Sequence, residues 1–103
     1  MIQVTSKNFK DEVSNFKGAI VADFYAEWCG PCKMLSPLMD QMSKENKDSN
    51  VKFVKINVDE ELELAQEFGV MSIPTILVFE AGKQKNKMVG FRDKGDLRKM
   101  LGV

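Results

Sequence analysis

Two cysteines separated by two residues carry the clearest covalent chemistry of this chain. Cys29 and Cys32 are its only cysteines, and its single tryptophan, Trp28, directly precedes them. An apolar run ends just before this stretch, and Pro31 suits the first turn of a helix, where a missing N–H costs nothing. The two thiols are therefore predicted at a junction between a strand and a helix, where this spacing is typical of redox proteins.

The composition argues against most other functions of the cysteine pair. The chain has no histidine, which excludes a Cys–His protease pair and any metal site with histidine ligands. A structural zinc ion needs four ligands, of which the pair supplies two. A disulfide across so short a loop constrains the unfolded chain little, so it adds little stability. A metal or structural role is the alternative to the redox role that we favour.

The predicted position at a helix start suggests different chemical roles for the two thiols. Free backbone N–H groups at a helix N-terminus lower the pKa of a nearby cysteine from its usual value of about 8.5. Cys29 precedes the helix and is expected nearer the exposed end, which makes it the nucleophile that attacks a substrate disulfide. Cys32 is expected deeper, where it can attack the mixed disulfide, release the reduced substrate and leave a disulfide with Cys29.

The length and the charge balance narrow the class of protein. A chain of 103 residues that is 44% hydrophobic suits one domain with one core. The 15 basic residues match the 15 acidic residues, which argues against a nucleic-acid binder. No apolar run is long enough to span a membrane, and the first residues do not resemble a signal peptide. We therefore expect a cytoplasmic protein with no nucleic-acid or membrane partner.

Predicted strands and helices alternate along the chain. The almost continuous apolar run from Ala19 to Tyr25 predicts a central parallel strand covered on both faces, in which Asp23 is the exception. Further strands are predicted over residues 2–4, 51–58, 75–79 and 87–91. Helices are predicted after the cap residues Thr5 or Ser6, after Asp59, after Asp93, and from Pro31. The order β-α-β-α-β-α-β-β-α predicts an α/β fold, a mixed sheet with helices on both faces.

The residues around the cysteines resemble the active-site signature of the thioredoxin family. The signature occupies residues 23–33 and reads Asp-Phe-Tyr-Ala-Glu-Trp-Cys-Gly-Pro-Cys-Lys. The resemblance extends over the whole chain through Pro37, segments 55–59 and 73–75, and Val89-Gly90. The Gly-Pro dipeptide between the cysteines resembles that of the reducing members of the superfamily. At the same two positions, glutaredoxins typically carry Pro-Tyr and protein disulfide isomerases carry Gly-His.

The resemblance implies a fold and an activity. The fold is a single thioredoxin domain over residues 1–103, a five-stranded mixed sheet flanked by four helices, with the strands in the order first, third, second, fourth, fifth. The activity is that of a monomeric dithiol carrier that reduces disulfides in other proteins and is restored by thioredoxin reductase. NADPH and FAD then belong to the reductase, because this chain has no Gly-rich dinucleotide fingerprint and is expected to bind no cofactor or metal.

Two rival functions remain open at this point. One is an oxidant or isomerase of the same fold, against which Gly30-Pro31 argues. The other is a binding module that docks a partner on its apolar surface, with an incidental redox pair.

The resemblance also assigns roles to two charged residues. Asp23 is implied to be a buried carboxylate beneath Cys32, with a raised pKa that lets it take the proton of Cys32. The alternative is a surface aspartate on an edge strand. Lys55 is implied to lie near Asp23, and its alternative is an ordinary exposed strand residue.

A substrate surface is implied by the remaining motif residues. Pro74 is implied to be a cis proline facing the disulfide, and the backbone of Ile73 to bind an extended substrate segment. The implied apolar docking surface comprises Trp28, Gly30, Pro31, Ile73, Pro74 and Gly90. For Gly90, a strand bulge is the alternative. Met71 and Phe91 depart from the commonest family pattern and are expected to enlarge the apolar rim and shift partner preference.

Overall fold

The computed structural model describes residues 1–101, the last of them by its backbone alone. The sheet comprises β1 (Ile2–Gln3), β2 (Ala19–Tyr25), β3 (Val51–Asn57), β4 (Thr75–Glu80) and β5 (Lys83–Val89). The helices are a π-helical segment (Lys10–Ser14), α1 (Gly30–Glu45), α2 (Leu62–Glu67) and α3 (Lys94–Leu101). Residues 102 and 103 of the expected domain lie outside the described residues.

The strands lie in the order β1-β3-β2-β4-β5. β2 is central and pairs in parallel with β3 and antiparallel with β4. β1 continues the parallel part beside β3, and β5 closes the antiparallel hairpin beside β4. The predicted α/β class and strand order are confirmed. Because β2 is the middle strand, the cysteines that follow it lie beyond its carboxyl end, midway between the two outer strands of the sheet.

Residues of β2 alternate between the two faces of the sheet. Ile20, Ala22 and Phe24 belong to one buried cluster, whereas Val21 belongs to the cluster on the opposite face. The second cluster draws on the helices through Leu35, Met39 and Met42 of α1 and Leu97 of α3. Asp23 shares the face of Val21, so it lies on the side covered by α1, the helix that begins between the two cysteines.

The largest differences between predicted and observed bounds concern the last strand and the first helix. β5 begins at Lys83, not at 87, and ends at Val89, so Gly90 and Phe91 lie outside it. Residues 83–87 are all exposed, so this outer strand lacks the alternation of apolar residues that marks a half-buried strand. The first helix is only the π-helical segment, within which Val13 is buried.

The predicted caps have different outcomes. Asp93 caps α3, because its Oδ1 accepts a hydrogen bond of 2.9 Å from the backbone N–H of Asp96. The prediction that Asp59 caps the next helix was wrong, since α2 begins only at Leu62. The Oδ1 of Asn57 accepts the backbone N–H of Asp59 instead, at 2.9 Å, and holds a turn between β3 and α2. Within residues 1–101 no helix is long and apolar enough to cross a membrane.

Candidate active site

Cys29 and Cys32 form a disulfide at the start of α1. Cys29 is the N-cap residue in an extended conformation (φ −83°, ψ 114°), and Pro31 occupies the first turn. The Sγ of Cys29 accepts a hydrogen bond of 3.2 Å from the backbone N–H of Cys32. The helix start thus directs a backbone donor at the sulfur of Cys29, where the same donor favours a thiolate after reduction.

The two cysteines differ in what they border and not in how exposed they are. Cys29 is 3% exposed and Cys32 is 2% exposed, so side-chain exposure does not distinguish the two residues. The tight turn buries both residues against Ala26, with Ile73 packed beside them. Cys29 borders an open groove of about 470 Å³, whereas Cys32 borders a smaller cavity of about 150 Å³. The surroundings therefore distinguish the two thiols.

The groove beside Cys29, called the Cys29 groove below, is mostly apolar. It is lined by Trp28, Cys29, Gly30, Pro31, Val58, Val70, Met71, Ser72 and Ile73, none of which is charged. Four of the six residues of the implied docking surface, namely Trp28, Gly30, Pro31 and Ile73, line this groove. Pro74 and Gly90 are not among its lining residues.

A hydrogen bond fixes the tryptophan at the edge of the Cys29 groove. Trp28 is 70% exposed, and its Nε1–H donates to the Oδ2 of Asp59 at 2.8 Å. Asp59 is itself held by its backbone bond to Asn57, a buried residue at the end of β3. Sequence reasoning missed this contact because it treated Asp59 as a helix cap. The available signal was an acidic residue just past the carboxyl end of a strand, where active sites gather.

Pro74, which follows Ile73 in the chain, is hydrogen-bonded to Gly90. The Ile73–Pro74 peptide bond is cis, as the resemblance implied. Gly90 has a φ of +90°, which side chains other than glycine rarely adopt, and its N–H donates to the carbonyl of Pro74 at 2.8 Å. Gly90 follows β5, and the irregularity of the hairpin lies at Val78/Phe79, so the bulge alternative was wrong.

Asp23 is a buried carboxyl in the central strand. It is 1% exposed, which overturns the alternative of a surface aspartate, and its Oδ1 has no hydrogen-bond partner among the described residues. Burial raises the pKa of Asp23 to about 7; the positive charge of Lys55 opposes this rise and the negative charge of Asp40 adds to it. The β2–β3 register places Lys55 directly opposite Asp23, so the implied proximity of the two is observed.

The cavity beside Cys32 is lined by both charged and apolar residues. Its lining residues are Tyr25, Ala26, Glu27, Cys32, Lys33, Ser36 and Lys55. Lys55 therefore neighbours both the buried carboxyl of Asp23 and the space beside Cys32. Across residues 1–101, no group of three or more histidine, cysteine or acidic side chains is arranged to hold a metal ion.

Comparison with known proteins identifies the family. A thioredoxin family model matches residues 1–102 of this chain. The chain belongs to the thioredoxin family. It is 48% identical over 94 residues to the thioredoxin of Rickettsia typhi, a match that covers 91% of this chain and 89% of that protein.

More distant thioredoxins also match over nearly their full lengths. Identity to the thioredoxin of Pyropia yezoensis is 42% over 99 residues, with 96% and 92% of the two chains covered. Identity to the thioredoxin of Mycoplasmoides gallisepticum is 39% over 101 residues, with 98% and 99% covered. The family resemblance is therefore confirmed along the whole described chain.

As a thioredoxin, the chain is a thiol–disulfide oxidoreductase with Cys29 and Cys32 as its redox-active pair. It is a dithiol carrier that reduces protein disulfides and is recycled by thioredoxin reductase. Thioredoxins carry no cofactor of their own.

Proposed function

We propose that Cys29 attacks the substrate disulfide and that Cys32 completes the reaction. The observation that carries this proposal is that Cys29 borders the larger, open groove, whereas Cys32 borders the smaller cavity that Lys55 also lines. The thiolate of Cys29 attacks one substrate sulfur, the substrate S–S bond breaks, and one substrate thiolate leaves. The thiolate of Cys32 then attacks the sulfur of Cys29, which releases the second substrate thiolate and forms the Cys29–Cys32 disulfide. Two electrons pass to the substrate.

Asp23 is the proton acceptor in the second step of this proposal. A group with a pKa of about 7 can accept and release a proton near neutral pH. Asp23 lies on the sheet face covered by α1, and Lys55 neighbours both Asp23 and the cavity beside Cys32. Asp23 would take the proton that Cys32 loses when it becomes a nucleophile. Lys55 would limit how far burial raises the pKa of Asp23.

The substrate is an extended segment of a disulfide-bonded protein that lies along the Cys29 groove. Ile73 lines the groove and lies outside every strand and helix, so its backbone can pair with a passing chain, a short form of strand addition. Trp28, Gly30 and Pro31 would contact the same segment. Pro74 and Gly90 would extend the contact surface next to Ile73.

We also propose the setting in which the chain works. It acts as a single monomeric domain over residues 1–103 in the cytoplasm, carrying electrons from NADPH through the FAD of thioredoxin reductase. Both cysteines belong to the redox pair, so no further disulfide points to an oxidising compartment. The balanced charge supports the absence of a nucleic-acid partner, and neither a nucleic acid nor a membrane has a part in the proposal.

Trapping with serine variants tests the division of labour. Each variant is incubated with a disulfide-bonded protein, and adducts are measured by mass spectrometry without reductant. Cys32→Ser is expected to accumulate a mixed disulfide through Cys29, because the resolving thiol is gone, and Cys29→Ser is expected to trap little. The reverse pattern would show that the two roles are exchanged.

A coupled assay tests the activity itself. Oxidation of NADPH is followed in the presence of thioredoxin reductase and the same disulfide-bonded protein. The wild-type chain is expected to sustain NADPH oxidation, and the Cys29→Ser/Cys32→Ser double variant is expected to be inactive. A partner-dependent function that survives in the double variant would favour the alternative hypothesis of a binding module.

A further inference from the structure

Met71 is the most exposed large apolar side chain in the described part of the protein. Its exposed fraction is 96%, compared with 70% for Trp28 and 62% for Leu62. Leaving an apolar side chain in water forgoes the stabilisation that burial provides. Met71 makes no contribution to the buried clusters on either face of the sheet, so folding does not explain its presence at this position.

Met71 is an adaptable side chain on a fixed piece of backbone. On one side of it, the backbone N–H of Val70 donates to the carbonyl of Ala65 at 2.8 Å. On the other side, the carbonyl of Ser72 accepts a hydrogen bond of 2.6 Å from the Oγ1 of Thr75. The side chain of methionine is unbranched, flexible and polarisable, and it adjusts to differently shaped apolar partners.

The surroundings of Met71 favour an apolar partner over a charged one. Met71 lines the Cys29 groove with Val58, Val70 and Ile73, and no charged side chain lines this groove. An apolar side chain placed here would bury surface against the thioether of Met71. A charged side chain would lose hydration without gaining a counter-charge.

We propose that Met71 determines substrate specificity by selecting disulfides whose attacked cysteine is flanked by an apolar side chain. The inference rests on the proposed function, in which a substrate segment lies along the Cys29 groove. The nucleophile and the disulfide exchange are unchanged. Met71 acts before the exchange, by holding the residue next to the substrate cysteine.

The test uses two peptides that carry the same disulfide and differ in one residue, leucine or glycine, next to the attacked cysteine. Hydroxyethyl disulfide, which has no flanking residue, is the third substrate and normalises each variant. The measured quantity is the ratio of kcat/KM for the leucine peptide to kcat/KM for the glycine peptide. The variants are Met71→Ser, Met71→Leu and, as a matched loss of an exposed apolar side chain outside the groove, Leu62→Ser.

The wild-type chain is expected to prefer the leucine peptide. Met71→Ser is expected to lower that preference by about fivefold, because an open groove discriminates between side chains less strongly than a closed pocket does. Met71→Leu should keep the preference within about twofold of wild type because it retains the apolar surface. Leu62→Ser should match wild type. An unchanged preference in Met71→Ser, or an equal loss on all three substrates, would overturn the inference while leaving the proposed function intact. Failure of the wild-type chain to reduce either peptide disulfide would overturn the proposed function and, with it, the inference.

Discussion

Asp23 shows how far the surroundings of one residue can change its chemistry. A carboxyl group has an ordinary pKa of 3.8, and burial in the central strand raises the pKa of Asp23 to about 7 against the opposing charge of Lys55. Burial thus makes the group able to exchange a proton near neutral pH. The same burial carries a cost in stability, because the charged form is poorly accommodated inside the protein.

The cost predicts how stability depends on pH. Between about pH 4 and pH 7, the unfolded chain has released the proton of Asp23 while the native chain retains it. The native state therefore binds more protons, and the free energy of unfolding falls as the pH rises through this window. Above pH 7 the full cost is of the order of 4 kcal/mol, from the difference between the two pKa values.

Asp23→Asn removes this titration and is expected to stabilise the oxidised protein above pH 7 by up to about 4 kcal/mol. The gain should shrink on acidification and vanish near pH 4. Urea unfolding at several pH values measures it, and Glu63→Gln is the control that removes an exposed carboxylate from α2. A gain that is independent of pH would contradict the prediction. In the same variant, resolution of the mixed disulfide by Cys32 should slow near neutral pH.

At the scale of elements, the hairpin of β4 and β5 depends on a two-residue turn. Ala81 and Gly82 both have positive φ values, +51° and +78°. Positive φ at both central residues is typical of the type I′ turn, whose twist matches that of the paired strands. Glycine adopts this conformation at little cost, whereas alanine does not. Ala81 is therefore poorly suited to its position.

Ala81→Asn is expected to stabilise the protein by about 0.5–1 kcal/mol, because asparagine tolerates positive φ better than alanine. Gly82→Ala is the matched opposite change and is expected to destabilise it. A Cβ at position 82 would lie 2.5 Å from the carbonyl oxygen of Ser14, in addition to the strained φ. Chemical unfolding of both variants measures the difference. Loss of stability in Ala81→Asn would argue against the turn described above.

At the scale of the whole molecule, the sheet has two unequal edges. β1, at one edge, is two residues long, whereas β5, at the other, is seven residues long and exposed along most of its length. An open edge strand can pair with another chain, and charged side chains on such a strand discourage this pairing. β5 carries three exposed lysines, Lys83, Lys85 and Lys87. These lysines disfavour pairing of the open edge with a second chain.

The double variant Lys83→Thr/Lys85→Thr is expected to self-associate more strongly than the wild-type chain, because threonine favours strand pairing and carries no charge. Sedimentation velocity measures the association. The control is Lys7→Thr/Lys47→Thr, which removes the same charge from exposed positions outside the sheet. Equal association of both variants would show that net charge, and not the edge strand, keeps the molecules apart.

Several features could be predicted from the sequence because they depend on residues close together in the chain. The cysteine spacing and Pro31 were sufficient to predict a helix beginning between the thiols. The apolar run around Asp23 indicated a buried central strand. The length of β5 could not be predicted, since an exposed edge strand of lysine, glutamine and asparagine lacks the pattern that marks a buried one. The cis bond before Pro74 was implied only by the family resemblance.

The sequence by itself determined the redox pair, its place at a helix start and the class of fold, because local spacing and periodicity control these features. Only the tertiary structure decided that Cys29 borders the open groove and Cys32 the smaller cavity, although both residues are buried. The contact of Trp28 with Asp59 joins residues 31 positions apart, and the rise in the pKa of Asp23 needs the whole core around it. Such features depend on contacts between segments that are distant in the sequence, and local sequence patterns do not predict those contacts.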